Sequence, residues 1–190
     1  MKTIVYLHGF ISSPQSKKAV MLGDYVKNCV AGVDYLVPAL HHRPKRAVAQ
    51  IEAACRALAP ADLTLVGSSL GGFYATVVAE RLGCRAALLN PAVHPHAHFA
   101  RHLGPQRNMY TGEEFELAQE HIDELKSLDP AAITLPGRYW LFVETGDVVL
   151  DYREAVAFYR DALHTVVRGG DHTLVSFPEH VPELAEWAAT

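Results

Sequence analysis

The chain alternates short apolar runs with longer stretches whose apolar residues recur every three or four positions, the pattern of strand and crossover helix repeated along a parallel sheet. Thr3 to Leu7 reads as a buried strand. Ser13-Pro14 then reads as a helix cap with proline in the first helical position, ahead of Ala19, Leu22, Val26 and Cys29 at helical spacing. Val33 to Val37 predicts a second strand. Ala47, Ile51, Cys55 and Leu58 fall on one helix face, and Leu63 to Val66 forms a third strand that runs into a glycine cluster. Phe73 to Leu82 reads as helix and Arg85 to Leu89 as the fourth strand. The alternation then stops, from Asn90 to Pro136, and resumes with a strand over Arg138 to Val143, a helix over Tyr152 to Leu163, a last strand over Thr165 to Arg168 and a closing helix over Phe177 to Ala188.

The interrupting segment opens on a loop rich in proline and histidine. Thr111 and Glu114 follow in capping-box register ahead of Phe115, Ala118, Ile122, Leu125 and Leu128, which predicts an amphipathic helix over 113–128 that could serve as a cap or lid. The expectation is therefore an α/β fold with a six-stranded, mostly parallel sheet, helices on both faces and a helical insertion before the fifth strand. At 190 residues, with no internal repeat and no linker, the chain fits one domain over 1–190 with a cap-like insertion over 90–136.

Composition then removes several function classes. Seventeen basic against 21 acidic residues give a formal net charge of −4, so no global positive field exists to hold nucleic acid or anionic lipid. The three cysteines, Cys29, Cys55 and Cys84, are odd in number and lack CxxC spacing, which argues against a disulfide framework or a zinc knuckle and for a reducing compartment. The first apolar run, Ile4 to Leu7, is too short for a signal-peptide core, and nowhere do ~18 apolar residues follow one another as a membrane span requires. A cytoplasmic protein is expected.

The candidate chemistry starts at Gly67-Ser68-Ser69-Leu70-Gly71-Gly72, a G-x-S-x-G in the strand–turn–helix setting of a nucleophile elbow. Gly67 and Gly71 give Ser69 small neighbours two residues away on each side, whereas Ser68 has Val66 and Leu70 at those offsets. Alone, such a turn is equally well a glycine-rich connection with no chemistry. An acid and a histidine follow at the ends of later strands: Asp147 in Glu144-Thr145-Gly146-Asp147 and His172 in Gly169-Gly170-Asp171-His172. Asp151 is explained as a helix cap before Glu154, and Asp171 as a loop-ordering residue; Glu144 has no assigned role. Of the later histidines, His164 precedes a strand and His180 lies on the last helix. The order serine, aspartate, histidine is the one expected of α/β-hydrolases. His172, oriented by Asp147, would take the Ser69 proton, and the backbone amides of Leu70 and Phe10 would receive the oxyanion.

Tyr6-Leu7-His8-Gly9-Phe10, the elbow with Phe73-Tyr74-Ala75, Asn90-Pro91-Ala92-Val93, Thr145-Gly146-Asp147 with Val149-Leu150-Asp151-Tyr152, and Gly169-Gly170-Asp171-His172 together resemble the YqiA-like esterase family over nearly the whole chain. The resemblance implies a compact α/β-hydrolase without the usual first two strands. It implies hydrolysis of carboxylic esters or acyl thioesters, acyl-CoA among them, with short acyl chains favoured and no cofactor. The positions matching the family's catalytic residues are Ser69, Asp147 and His172. One departure is visible: His94 stands where the family tends to carry arginine, which bears on acyl or leaving-group preference.

His94, His96, His98 and His102 crowd one loop, but no carboxylate lies near them in sequence to complete a metal site, so a structural or substrate-lining loop is expected. Met21, Trp140 and Trp187 fit core positions and Cys84 a packed site. Two rivals remain beside the serine esterase: a hydrolase-fold protein that only binds, and a triad enzyme acting on peptides or lactones.

Overall fold

The computed structural model describes residues 1–190. Its strands are β1 (Lys2–Leu7), β2 (Val33–Leu36), β3 (Leu63–Ser68), β4 (Arg85–Leu89), β5 (Gly104–Arg107), β6 (Glu114–Leu117), β7 (Tyr139–Glu144) and β8 (Leu163–Val167). Six form one sheet in the order β2-β1-β3-β4-β7-β8, and every pairing in it is parallel. The helices are α1 (Lys17–Cys29), α2 (Pro44–Cys55), α3 (Leu70–Leu82), α4 (Pro95–Phe99), α5 (Gln119–Leu128), α6 (Tyr152–Phe158) and α7 (Phe177–Ala189).

Side chains alternate across the sheet, which explains why its strands read as unbroken apolar runs. Ile4 and Tyr6 of β1 pack with Leu22 of α1 and Leu184 of α7 on one face. Val5 and Leu7 pack on the other with Ile51 of α2, Phe73 of α3 and Tyr159 just past α6. Both layers are buried. Removing one such side chain from water is worth about 1.5–3 kcal/mol, so tertiary burial on two faces decides the conformation of these runs. No helix is long and apolar enough to cross a membrane.

The chain leaves β1 for β2 on one side and returns to β3 on the other. This switch opens a crevice at the carboxyl ends of β1 and β3, where ligands gather in open parallel sheets.

Four expectations need correction. Ser13-Pro14 does not start α1: the Ser13 hydroxyl accepts from the Gln15 amide at 3.0 Å and its carbonyl from the Ser16 amide at 3.1 Å, a local turn that defers the helix to Lys17. Thr111 and Glu114 do not cap a helix. Glu114–Leu117 pairs antiparallel with Gly104–Arg107, and the Thr111 hydroxyl accepts from the Glu113 amide at 3.3 Å within the hairpin turn. α5 begins only at Gln119, where the His121 ring accepts from the Ala118 amide at 3.1 Å. α6 ends at Phe158 and the last strand starts two residues earlier than read, because Tyr159 to Ala162 closes a turn between them. Met21 is exposed rather than part of the core.

Candidate active site

β3 runs straight into α3 through Ser69, whose backbone sits at φ 55° and ψ −122°. That conformation is costly for a residue with a Cβ, of order 1–3 kcal/mol, and the surroundings enforce it. The Ser69 amide donates to the Leu89 carbonyl at 3.0 Å, and its carbonyl accepts from the amides of Gly72 and Ala92 at 2.9 and 3.0 Å. Glycine is required on both sides of the turn. A Cβ on Gly67 would run into the Gly71 carbonyl, and one on Gly71 into the Leu7 carbonyl. Ser69 is thus held rigidly at the end of the strand, with the first turn of α3 behind it.

The loops after β7 and β8 meet it there. His172 Nε2 lies 3.0 Å from Ser69 Oγ, and His172 Nδ1 lies 2.7 Å from Asp147 Oδ2. Asp147 is 2 % exposed at its side chain and His172 25 %. The second Asp147 oxygen accepts from the amides of Val149 and Leu150 at 2.8 and 3.0 Å, which fixes the carboxylate plane. With Nδ1–H donating to Asp147, Nε2 is left as an acceptor for the serine hydroxyl. The arrangement can accept a proton from Ser69 and return it elsewhere.

Gly9 abuts Ser69, with its Cβ position 3.3 Å from the Ser69 Cβ, and Phe10 follows it along the wall of the same cavity. Leu70 is the first residue of α3. Leu70 thus follows the serine directly, and Phe10 stands one residue beyond the glycine that touches it. The cavity, about 650 Å³, is lined on its apolar side by Phe10, Met21, Phe99, Leu150, Val175 and Phe177. Residues of the segment between β4 and β7, among them Phe99, Arg101 and Tyr110, contribute to its wall.

All five non-glycine residues with positive φ, namely Ile11, Ser69, Asn90, His94 and Leu174, lie on the loops that lead into this region. Strain is concentrated where side chains must be aimed rather than spread over the fold.

A family model described as Uncharacterised protein family (UPF0227) matches residues 3–189. The chain belongs to UPF0227, the YqiA-like family. Among solved structures, this UPF0227 member is similar to alpha/beta hydrolase domain-containing protein 10 from mouse, with TM-score 0.74 and 14% identity over 97% of this chain and 88% of that one. It is similar to a monoacylglycerol lipase from Paleococcus ferrophilus, with TM-score 0.70 and 16% identity over 98% and 93%. It is also similar to Est1E from Butyrivibrio proteoclasticus, solved with ferulic acid, with TM-score 0.68 and 15% identity over 100% and 87%. The fold is that of the α/β-hydrolases.

Three residues that shape the UPF0227 site were not assigned a role from sequence. Glu144, at the end of β7, is 0 % exposed. Its carboxylate accepts from the amides of Asp171, Val175 and Ser176 at 2.7, 3.1 and 2.7 Å, so it fastens the loop that carries His172. Asn90 accepts from the Glu144 amide at 3.0 Å and donates to the carbonyls of Asp171 and His172 at 3.0 and 3.3 Å. His8 accepts from the Leu40 amide at 3.1 Å and donates from its other nitrogen to the Gly9 carbonyl, also at 3.1 Å. Burial lowers its pKa, opposed by the hydrogen bond to Gly9, so a neutral ring suits that dual role. The signal in each case was a polar residue at or just past the end of a strand that reads as an apolar run.

The histidine loop also differs from expectation, because carboxylates do reach it. Asp129 lies 2.7 Å from His94 and 3.2 Å from His96, and Glu154 lies 3.1 Å from His98. Asp171 orders its loop by accepting from the Thr173 amide at 2.7 Å, and Asp151 caps α6 by accepting from Arg153 at 3.0 Å, as read from sequence.

Proposed function

We propose that this UPF0227 protein is a serine hydrolase of carboxylic esters or acyl thioesters, with Ser69 as nucleophile, His172 as general base and acid, and Asp147 as the group that orients it. The hydrogen-bonded chain Ser69 Oγ, His172 Nε2, His172 Nδ1, Asp147 Oδ2, at 3.0 and 2.7 Å, carries the reading. The esterase and lipase among its structural neighbours support it. Ser69 Oγ attacks the acyl carbon while His172 Nε2 takes its proton. The carbonyl oxygen becomes an oxyanion facing the amides of Phe10 and Leu70, each such donor being worth ~3 kcal/mol in a related arrangement. The C–O or C–S bond then breaks, the leaving group takes the proton from His172, and the acyl group stays on Ser69. Water adds to this ester by the same route in reverse, releasing the acid and restoring the serine.

The reaction needs no cofactor. Short acyl chains are the favoured substrates, and the segment over 90–136 acts as a cap whose residues complete the cavity wall. Three unpaired cysteines support a reducing, cytoplasmic setting.

Steady-state kinetics on p-nitrophenyl esters and acyl-CoA thioesters of graded chain length test the proposal. Ser69→Ala should lower kcat by ~10⁶ with its circular dichroism unchanged. A loss of less than ~10² would assign the nucleophile elsewhere.

A further inference from the structure

The cavity beside Ser69 is charged in a way the whole chain is not. Acidic residues outnumber basic ones over the sequence, for a net charge of −4, yet Lys17, Lys18 and Arg101 line this cavity and no aspartate or glutamate does. They come from two places, Lys17 and Lys18 from the start of α1 and Arg101 from the 3-10 turn Ala100–His102 beyond α4, and the fold brings both to one cavity. None of them pairs with a carboxylate, whereas Arg43, Arg81 and Arg138 do.

Two of these cations stand where a helix least favours them. Lys17 and Lys18 are the first residues of α1, whose first turn holds no acidic residue and whose N-cap Ser16 makes no side-chain cap hydrogen bond. A helix N-terminus carries partial positive charge and is stabilised by anions, so two lysines there repel it. An anion from outside would relieve both at once. Lys18 Nζ also donates to the Thr173 carbonyl at 2.7 Å, one residue past His172, which puts this positive end next to the reacting groups. Burial lowers the Lys18 pKa, against the pull of Asp171, Glu144 and Asp147 behind it, and a bound anion would supply counter-charge on the open side.

We propose that the substrate ester or thioester carries a second, anionic group, a carboxylate or phosphate, which Lys17, Lys18 and Arg101 receive at the cavity. The inference rests on the serine hydrolase reading and specifies its substrate class. The apolar wall takes the uncharged part of the molecule, and about 650 Å³ suits a ligand of ordinary metabolite size.

Matched ester pairs test this and place the charge. Mono-p-nitrophenyl glutarate against p-nitrophenyl valerate puts it on the acyl side; para-butyryloxybenzoate against its methyl ester puts it on the leaving group. With rates corrected for uncatalysed hydrolysis, one pair should show kcat/KM at least about tenfold higher for the anionic member, arising mainly in KM and shrinking as salt is raised. The double variant Lys17→Ala/Arg101→Ala should cut that ratio about tenfold, at up to about fivefold per exposed charge, while Lys27→Ala at the far end of α1 leaves it unchanged. A ratio near one in both pairs, or a ratio the double variant does not move, overturns the inference while turnover of the neutral esters keeps Ser69 as nucleophile. No turnover of any ester by the folded protein, with no fluorophosphonate adduct on Ser69, overturns the hydrolase reading and this inference with it.

Discussion

Glu144 is the only charged side chain in β7 and has no exposed surface, and its carboxylate is taken up by amides of the loop that carries His172. Burial pushes its pKa up, but hydrogen bonds from Ser176 and from the amides of Asp171 and Val175 outweigh this and hold the carboxyl below the usual carboxylate range. A carboxylate with a depressed folded pKa stabilises the fold fully above its unfolded value of about 4.3, and that contribution is lost as the pH falls through the lowered folded value. Glu144→Gln puts a donor against donors in a buried site. It should lower the unfolding free energy at pH 7 by about 2–4 kcal/mol, read from urea titration. The gap from wild type should close in acid, where protonation makes the native group neutral as well. Equal urea midpoints at pH 7 would show that the loop is held by other contacts. If Glu144 acts by positioning His172, the variant should also lower kcat more than it raises KM.

At the scale of elements, the tight passage from β3 to α3 sets the serine. Gly67→Ala places a methyl against the Gly71 carbonyl, where neither backbone can yield without opening the elbow. A loss of about 2–3 kcal/mol in stability together with most activity is expected, measured by thermal melting and ester turnover. An alanine variant with native melting and turnover would mean the turn is looser than its geometry. The elements that sequence made legible were those with one meaning only: buried strands covered on both faces, and the loops that leave β3, β7 and β8 carrying Ser69, Asp147 and His172. The hairpin was misread because Thr111, Glu114 and the apolar residues after them match helical spacing as well as the alternation of Phe115 and Leu117 on a four-residue strand. Roles for Asn90, Glu144 and His8 were hidden for another reason. Their partners are backbone groups of distant segments, 54 residues apart for Asn90 and Glu144, and backbone groups leave no mark in a side-chain pattern. Asp129 is hidden by distance alone, since it meets the His94 ring side chain to side chain across 35 residues of sequence.

Across the whole molecule, two kinds of construction meet at the cavity. The parallel sheet is covered on both faces, whereas β5 and β6 pair only with each other. Their segment is tied back by side chains: Arg43 to Glu124 at 2.5 Å, His42 to His121 at 3.1 Å, and Asn108 to the Ser12 carbonyl at 2.8 Å. Polar ties and a few apolar contacts, such as Phe115 against Phe10, hold less firmly than a buried ladder, so amides of β5 and β6 should exchange with deuterium at least about tenfold faster than those of β3 and β4. Equal protection would mean that the segment opens only when the sheet does.

On the proposed function, one serine among many is a nucleophile because His172 and Asp147 stand behind it. Intact-mass analysis after treatment with a fluorophosphonate reads this directly. A single adduct is expected on the wild-type protein, mapped to Ser69 and absent from a folded Ser69→Ala variant. A folded wild-type protein that gains no mass, or a variant that labels as readily, would contradict it.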